Sequence, residues 1–207
     1  GPWLKDKQSI ERWDTERAMN GVKKSYEAAI LAGYDLIHVD PTVDIFLPKG
    51  QIIDIHVVVK RTVELIKHAE DFRKAHGIAP ISYEVGTEEV HGGLADEKTF
   101  DTFLKGLKAG LHEVGLDDIW PCFIVGKVGT DLHTTFFDAE VARKLTAKVR
   151  PYGSYIKGHY SDDVDNPEDY PKAGMGAANV GPEFTMNEYE ALAELEEEEK
   201  KQFAAGK

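Results

Sequence analysis

Cysteine is almost missing from this 207-residue chain, which contains only Cys122. A single cysteine excludes a disulfide within the chain and suits a reducing compartment, so we expect a cytoplasmic protein. Long apolar runs are missing too. No stretch approaches the roughly 20 residues that span a bilayer, and the N-terminus shows no signal-peptide pattern. The sequence therefore predicts neither a disulfide scaffold nor a membrane protein.

Positive charge is scarce, because 25 Lys and Arg residues stand against 37 Asp and Glu residues, a formal net charge of −12. This balance argues against a nucleic-acid surface, since phosphates require basic partners. Much of the negative charge lies in the C-terminal run EYEALAELEEEEKKQF, which is typical of a solvated helix. We accordingly interpret residues 1–190 as one domain, a partial barrel, and residues 191–207 as an acidic C-terminal helix or tail.

Short β-prone segments alternate with longer helical segments along the chain. The strand candidates each end in a polar or glycine-rich loop, and they are residues 34–40, 81–86, 120–126, 153–160 and 176–181. Gly33 and Gly77 follow two of the helical segments in the manner of C-terminal caps. Strands that alternate with helices imply βαβ crossovers and a parallel sheet. An open doubly wound sheet and a (β/α)8 barrel both fit this pattern.

Polar residues inside the strands favour the barrel. Strands of a doubly wound sheet are buried on both faces and are almost continuously apolar. Here His38 and Asp40 share one face of the first strand, Glu84 points inward from the second, and Lys157 and His159 share one face of the fourth. Barrel strands can carry such groups toward the C-terminal mouth. The predicted fold is α/β of the (β/α)8 TIM-barrel type.

The number of strands falls short of this prediction. A TIM barrel requires eight β/α units, and only about five can be recognised. The chain also opens abruptly with GPWLKD, as if an upstream strand and loop had preceded it. A protein with only five units would have to protect its open sheet edges. We therefore expect this chain to be part of a longer barrel.

Clusters of polar residues recur where the predicted strands end, and barrel enzymes place their active sites there. The clusters are HVDPTVD, YEVGTEEVHGG, VGKVGTDLH and KGHYSDD. Histidine with carboxylate suits a divalent ion such as zinc, and such an ion could polarise a sugar carbonyl. The candidate ligands are His133, His159, Glu84 and Glu88. No closely spaced motif such as HExxH joins them, so this hypothesis requires the fold to bring distant loops together.

Other interpretations of single residues stay open. We interpret His38 first as a hydrogen-bonded core histidine. Lys157 could form a Schiff base with a carbonyl substrate, which would give metal-free aldol chemistry. The favoured alternative is an ion pair between Lys157 and a carboxylate such as Glu84 or Asp40. The segment NVGPEF, which contains Gly181, is similar to the anion-cradling turns that follow the last strands of barrels.

Taken in order, these motifs resemble the accessory, nominally non-catalytic, subunit family of the class II tagatose-bisphosphate aldolases, which includes related sugar 4-epimerases. IHVDPT is similar to the family's I-H-x-D strand, VGTEEVHGG to its I-G-T-E…G-G loop, and IWPCFIV to its I-W-P strand. DLHTTFFD is similar to an H-T-x-x-x-D element, GHYSDD to A-H-S-T-D, and NVGPEFT to V-G-P-x-x-T. The resemblance covers nearly the whole chain and implies a (β/α)8 barrel longer than this sequence.

The resemblance also implies roles for individual residues. His133 and His159 would be metal ligands, and Glu88 ranks ahead of Glu84 as the carboxylate ligand. The predicted catalytic groups are Asp40, Asp131 and Lys157. The predicted substrate-binding residues are His38, Thr87 and Gly181.

The implied function belongs to carbohydrate metabolism. It is metal-dependent retro-aldol chemistry on a ketose or ketose bisphosphate, with zinc as the expected ion, in an aldolase (a lyase) or a ketose 4-epimerase. The alternative is a non-catalytic subunit that stabilises a separate class II aldolase subunit. An oligomer is expected, with no nucleic-acid or membrane partner. The family's G-D-H segment is missing, so a chain that begins at Gly1 is expected to bind metal poorly.

Overall fold

The computed structural model describes residues 14–44, 46–48, 51–86, 97–130 and 134–206. Helices and strands alternate in it as the sequence predicts. They are α1 (Thr15–Leu31), β1 (Leu36–Val39), α2 (Ile55–Ala75), β2 (Ser82–Val85), α3 (Glu97–Glu113), β3 (Phe123–Val125), α4 (Ala139–Val149), β4 (Tyr155–Gly158), α5 (Asp169–Lys172), β5 (Ala177–Ala178) and α6 (Pro182–Ala204). Each of the five predicted strands is present. A short 3₁₀ turn, Arg150–Tyr152, follows α4. In the described residues, no helix combines the length and apolarity needed to cross a membrane.

All strands are parallel and form one sheet in the order β1-β2-β3-β4-β5. Each strand therefore lies beside the next strand of the chain, whereas a doubly wound sheet reverses its order at a switch point. Because βαβ crossovers are almost always right-handed, this order places the connecting helices on one face. The sequence thus forms an α/β fold consistent with part of a TIM-type barrel. Barrel closure stays a prediction, since no strand in the described ranges flanks the outer edges of β1 and β5.

Aspartates and glycines fix the ends of the first two helices. Asp14 caps α1 by accepting a hydrogen bond from the Arg17 N–H at 2.8 Å, and Asp54 caps α2 through the His56 N–H at 2.7 Å. Gly33 then stops α1 in the left-handed region, with φ +87°, where a side chain would be strained. Gly77 ends α2 in the same way, with φ +65°. Both predicted glycine caps are confirmed.

The hydrophobic core lies between the sheet and its helices. Alternate strand residues point toward α2, α3 and α4 and are buried, namely Ile37, Val39, Tyr83, Val85, Ile124 and Ile156. Helices α2 and α3 cross closely, because Gly110 faces Val63 and has no side chain of its own. A Cβ at Gly110 would lie 2.7 Å from Val63 Cγ2. The opposite face of the sheet carries Glu84 and Lys157 beside the apolar residues Phe123 and Val125, with which they are in register.

A buried ion pair within α2 is hydrogen-bonded to β2 in this core. Glu70 is completely buried and accepts hydrogen bonds from Arg73 Nε at 2.7 Å and from Tyr83 Oη at 2.9 Å. Lys74 adds a weaker contact at 3.6 Å. A buried carboxylate needs such compensation, because burying it unpaired would be costly. We assign this cluster to structure, since Tyr83 points to the helix side of β2.

Candidate metal site

Strand register places three chemically useful side chains at one end of the sheet. His38 of β1 is paired in register with Glu84 of β2, and His159 follows the last residue of β4 directly. The C-terminal ends of parallel strands meet at the same end of a sheet. The neighbours Ile37 and Val39 are buried toward the helices, so alternation turns His38 to the opposite face.

The three side chains converge on one carboxylate oxygen. His38 Nδ1 lies 2.9 Å from Glu84 Oε1, and His159 Nε2 lies 3.5 Å from the same oxygen. The two imidazole centroids are 5.7 Å apart. One donor atom from each of the three residues lies within 4.8 Å of the others. An ion with bonds of about 2.1 Å holds tetrahedral ligand atoms about 3.4 Å apart, so small side-chain movements would suit one.

Lys157 holds the other oxygen of Glu84. Its Nζ lies 2.5 Å from Glu84 Oε2, and the lysine side chain is only 14% exposed. The predicted pairing of Lys157 with Glu84 is therefore confirmed. The two oxygens of Glu84 have separate partners, because Oε2 faces the ammonium while Oε1 faces the imidazoles.

Hydrogen bonds and opposite charges within the cluster stabilise the charged forms of Glu84 and His38. Burial would raise the pKa of Glu84, which is 1% exposed, but hydrogen bonds from His159, His38 and Lys157 outweigh it and hold that pKa well below its usual range. Burial would lower the pKa of His38, but Asp40 and Glu84 raise it to about 9. At neutral pH the metal-free site thus contains an ionised glutamate and a protonated His38. Metal binding must displace that proton.

Asp40 lies at the rim of the cluster, with Oδ2 3.8 Å from His38 Nε2. Its other oxygen accepts hydrogen bonds from the Thr42 hydroxyl and from the Thr42 N–H, the latter at 3.0 Å. Burial would raise the pKa of Asp40, but His38 and Thr42 together lower it. A Cβ at Gly86 would collide with the Asp40 carboxyl group. Glycine at this position therefore leaves room for Asp40.

Hydroxyl groups from neighbouring segments fix the backbone of both histidines. Tyr26 of α1 donates a hydrogen bond to the His38 carbonyl at 2.9 Å, and Thr130 donates one to the His159 carbonyl at 2.7 Å. Burial, with a smaller effect from Asp40, raises the pKa of Tyr26, so its hydroxyl keeps its proton. These bonds hold the ends of β1 and β4, and thereby restrict where the two imidazoles can go.

Comparison with known proteins identifies the family of the chain. The sequence profile of the family described as "D-tagatose-1,6-bisphosphate aldolase subunit GatZ/KbaZ-like" matches residues 7–207. The chain belongs to this GatZ/KbaZ-like family. No curated protein matches it. Among solved structures, it is similar to the Xanthomonas citri FimX EAL domain in complex with c-diGMP, at 14% identity and a TM-score of 0.38. That similarity covers 77% of this chain and 63% of the EAL-domain chain.

Family membership confirms the resemblance read from the motifs and relates the protein to tagatose-bisphosphate aldolase carbohydrate metabolism. Of the predicted ligands, the structure brings His159 and Glu84 together. It adds His38, which we had interpreted as a core residue or a substrate-binding residue. The His38 side chain is 42% exposed, so it lies at the site rather than in the core.

Two further predicted site residues, Asp40 and Lys157, flank the cluster. The other predicted site residues are Gly181 and four residues outside the described ranges. The Gly181 N–H donates a hydrogen bond to Asp162 Oδ1 at 2.8 Å, and the same oxygen accepts one from the Glu183 N–H at 3.0 Å. A substrate-binding role for Gly181 stays a prediction. The remaining predicted residues are not among the described ones, so their roles stay predictions as well: Thr87, Glu88, Asp131 and His133.

Proposed function

We propose that this protein acts on a ketose or ketose bisphosphate by metal-dependent aldol chemistry, either as a retro-aldol lyase or as a 4-epimerase. The observation that supports the proposal is the convergence of His38, Glu84 and His159 at the end of the sheet where barrel enzymes bind substrates. The name of the GatZ/KbaZ-like family, which refers to D-tagatose-1,6-bisphosphate aldolase, supports the choice of sugar.

The donor set fits a divalent transition ion. Two imidazole nitrogens and one carboxylate oxygen are the protein ligands of several catalytic zinc sites, in which a further position remains for substrate or water. His38, Glu84 and His159 would hold the ion. When bound, it would act as a Lewis acid on the ketose carbonyl.

The residues around the cluster have distinct roles in this proposal. Lys157 keeps Glu84 oriented and ionised, so that Oε1 stays turned toward the imidazoles. Asp40 has a lowered pKa, so it is ionised at neutral pH and can accept a hydrogen bond from a sugar hydroxyl. Because Lys157 is engaged with Glu84 at 2.5 Å, it is a poor candidate for a Schiff-base nucleophile. The site therefore favours metal-dependent chemistry over the Schiff-base alternative.

Metal analysis tests the first part of the proposal. Purified protein is stripped with a chelator, reloaded with zinc and assayed by elemental analysis and calorimetry. We expect one zinc per chain, with affinity reduced at least tenfold, about 1.4 kcal/mol, in His38→Ala, His159→Ala and Glu84→Gln. His56→Ala is the matched control, because His56 lies exposed on α2 away from the cluster. Zinc affinity that is equal in all four variants would refute the site.

Substrate turnover tests the second part. The zinc-loaded protein is incubated with D-tagatose 1,6-bisphosphate, and triose phosphates and epimeric ketoses are measured separately. Release of triose phosphate identifies a lyase, and inversion at C4 without release identifies an epimerase. Zinc binding without either product would leave the metal site in place and refute the catalytic proposal.

A non-catalytic role is the second candidate function. It is favoured by the family description, which names an aldolase subunit rather than an aldolase. In this case the protein would associate with a separate class II aldolase and stabilise it. Size-exclusion chromatography of the two purified proteins, with thermal inactivation of the aldolase alone and in the mixture, tests this role. Stabilisation that persists in Glu84→Gln favours the subunit role, and absence of a complex refutes it.

A further inference from the structure

A cavity lies at the N-terminal ends of the strands, at the opposite end of the sheet from the metal site. We call it the basal cavity, and its volume is about 390 Å³. Its walls include Trp120, which lies three residues before β3, and Tyr152, which lies three residues before β4. These are the N-terminal ends of the strands, whereas the metal site is at the C-terminal ends. Small-molecule sites have volumes of about 300–1,000 Å³, so the basal cavity is large enough for a small ligand.

The aromatic wall of the basal cavity is held in place. Trp120 and Tyr152 are stacked, with ring centroids 5.3 Å apart and an interplanar angle of 19°. Trp120 Nε1 donates a hydrogen bond to Ser154 Oγ at 2.7 Å, and Ser154 Oγ donates one to the Pro121 carbonyl at 2.6 Å. Aromatic stacking and a satisfied indole N–H favour one ring orientation. The wall is therefore preformed.

The cavity is also positively charged. Lys105 and Lys108 lie on consecutive turns of α3, and Lys108 Nζ is 5.6 Å from the centroid of the Trp120 ring. As far as the described residues go, neither ammonium group lies within salt-bridge distance of a carboxylate. His112 lies one turn further along and is paired with Asp117 at 2.6 Å, so this pair adds little net charge. Asp117 also lines the cavity and interacts electrostatically with Lys108. Two lysines against one aspartate still leave the cavity positive in a chain whose net charge is −12.

Apolar side chains complete the cavity. Leu111 and Leu116 are buried beneath it, and Ile119 and Ala109 lie along its sides. A ligand there would meet an apolar and aromatic surface together with two ammonium groups, one of which, that of Lys108, lies beside the Trp120 ring. Pockets of this kind combine mostly apolar walls with a few charged groups that fix orientation.

We propose that the basal cavity binds a small organic anion with a flat, apolar body. The anionic group, a carboxylate or phosphate, would interact with Lys105 and Lys108, and the body would pack against the aromatic and leucine walls. This site is separate from the metal site and does not depend on the proposed catalytic function.

Nuclear magnetic resonance of the full chain tests the proposal with 1-naphthyl phosphate as the probe. The indole N–H resonance of Trp120, assigned with Trp120→Phe, is followed during titration. We expect a saturable shift with a dissociation constant of about 1 mM or below. Lys105→Gln/Lys108→Gln should weaken binding at least tenfold. Lys98→Gln is the matched control, because Lys98 lies exposed on the same helix but does not line the cavity.

Neutral and minimal probes separate the two halves of the proposal. We expect 1-naphthol, which lacks the charge, and inorganic phosphate, which lacks the apolar body, each to bind at least tenfold more weakly than 1-naphthyl phosphate. Unchanged thermal unfolding of the double lysine variant would show that it is folded. The proposal is overturned if no shift saturates, if the lysine variant binds like the wild type, or if inorganic phosphate binds equally well.

Discussion

Replacing Lys157 by methionine removes the ammonium group that neutralises a buried carboxylate. Glu84 is 1% exposed, and Lys157 Nζ lies 2.5 Å from Glu84 Oε2. In the variant, Glu84 Oε2 loses this partner, while Oε1 keeps its contact with His38 at 2.9 Å. Lys157→Met nearly preserves the volume of the side chain, so the effect reports on charge rather than on a cavity.

The size of the effect follows from the cost of an unpaired buried charge. Removing one partner of a buried ion pair typically destabilises a protein by about 3–5 kcal/mol. The Lys157 side chain is 14% exposed and His38 supplies some positive charge, so we expect a loss at or below the lower limit of that range, about 2–3 kcal/mol. Lys157→Met/Glu84→Gln should recover much of the loss, because neither charge then remains.

Urea unfolding of the metal-free protein measures this energy, and the two single variants and the double variant complete a double-mutant cycle. Zinc gives a further readout. An ion bound at Glu84 would replace the missing positive charge, so zinc should raise the melting temperature of Lys157→Met more than that of Glu84→Gln. A loss below about 0.5 kcal/mol with no coupling in the cycle would refute the role of this ion pair.

Three other outcomes follow from the structure. Gly86→Ala should destabilise the protein by about 1–3 kcal/mol in thermal unfolding, because its Cβ collides with the carboxyl group and the Cβ of Asp40, and adding Asp40→Gly should recover part of the loss. Tyr83→Phe should cost about 1–2 kcal/mol in urea, since Glu70 loses a buried hydrogen bond. The pKa of His38 is raised to about 9, so its stabilisation is complete below pH 6.5 and is lost as pH rises toward 9. After allowance for solvent screening, metal-free protein should lose about 1–2 kcal/mol across this window, and His38→Asn should not.

Local sequence signals were sufficient for most of the fold. All five strands and the long helices were predicted, because β-prone runs, amphipathic periods and glycine stops are short-range features. The four-residue helix α5 was not predicted. Gly33 and Gly77 are examples, since each requires only its own φ value and the preceding helix. The sequential order of the strands followed from the barrel prediction, which was based on the polar residues inside the strands. Closure could not be predicted in this way, because it depends on which strands meet the edges of β1 and β5.

The site was predicted less completely, because its assembly depends on how the strands pair in register. The alternation of side chains along β2 correctly predicted that Glu84 points away from the helices. Recognising His38 as the third member of the cluster required the pairing of β1 with β2, which a single sequence does not reveal. The hydrogen bonds from the Tyr26 and Thr130 hydroxyl groups to the histidine carbonyls were missed for a similar reason. Tyr26 and His38 are 12 residues apart, Thr130 and His159 are 29 residues apart, and nothing local connects them.

X-ray absorption spectroscopy of the zinc-loaded protein tests the central claim most directly. The account predicts two imidazole nitrogens among the ligands, with one imidazole lost in His38→Ala and one in His159→Ala. A spectrum dominated by sulfur, or one that neither substitution changes, would contradict a metal site built on Glu84 and these two histidines.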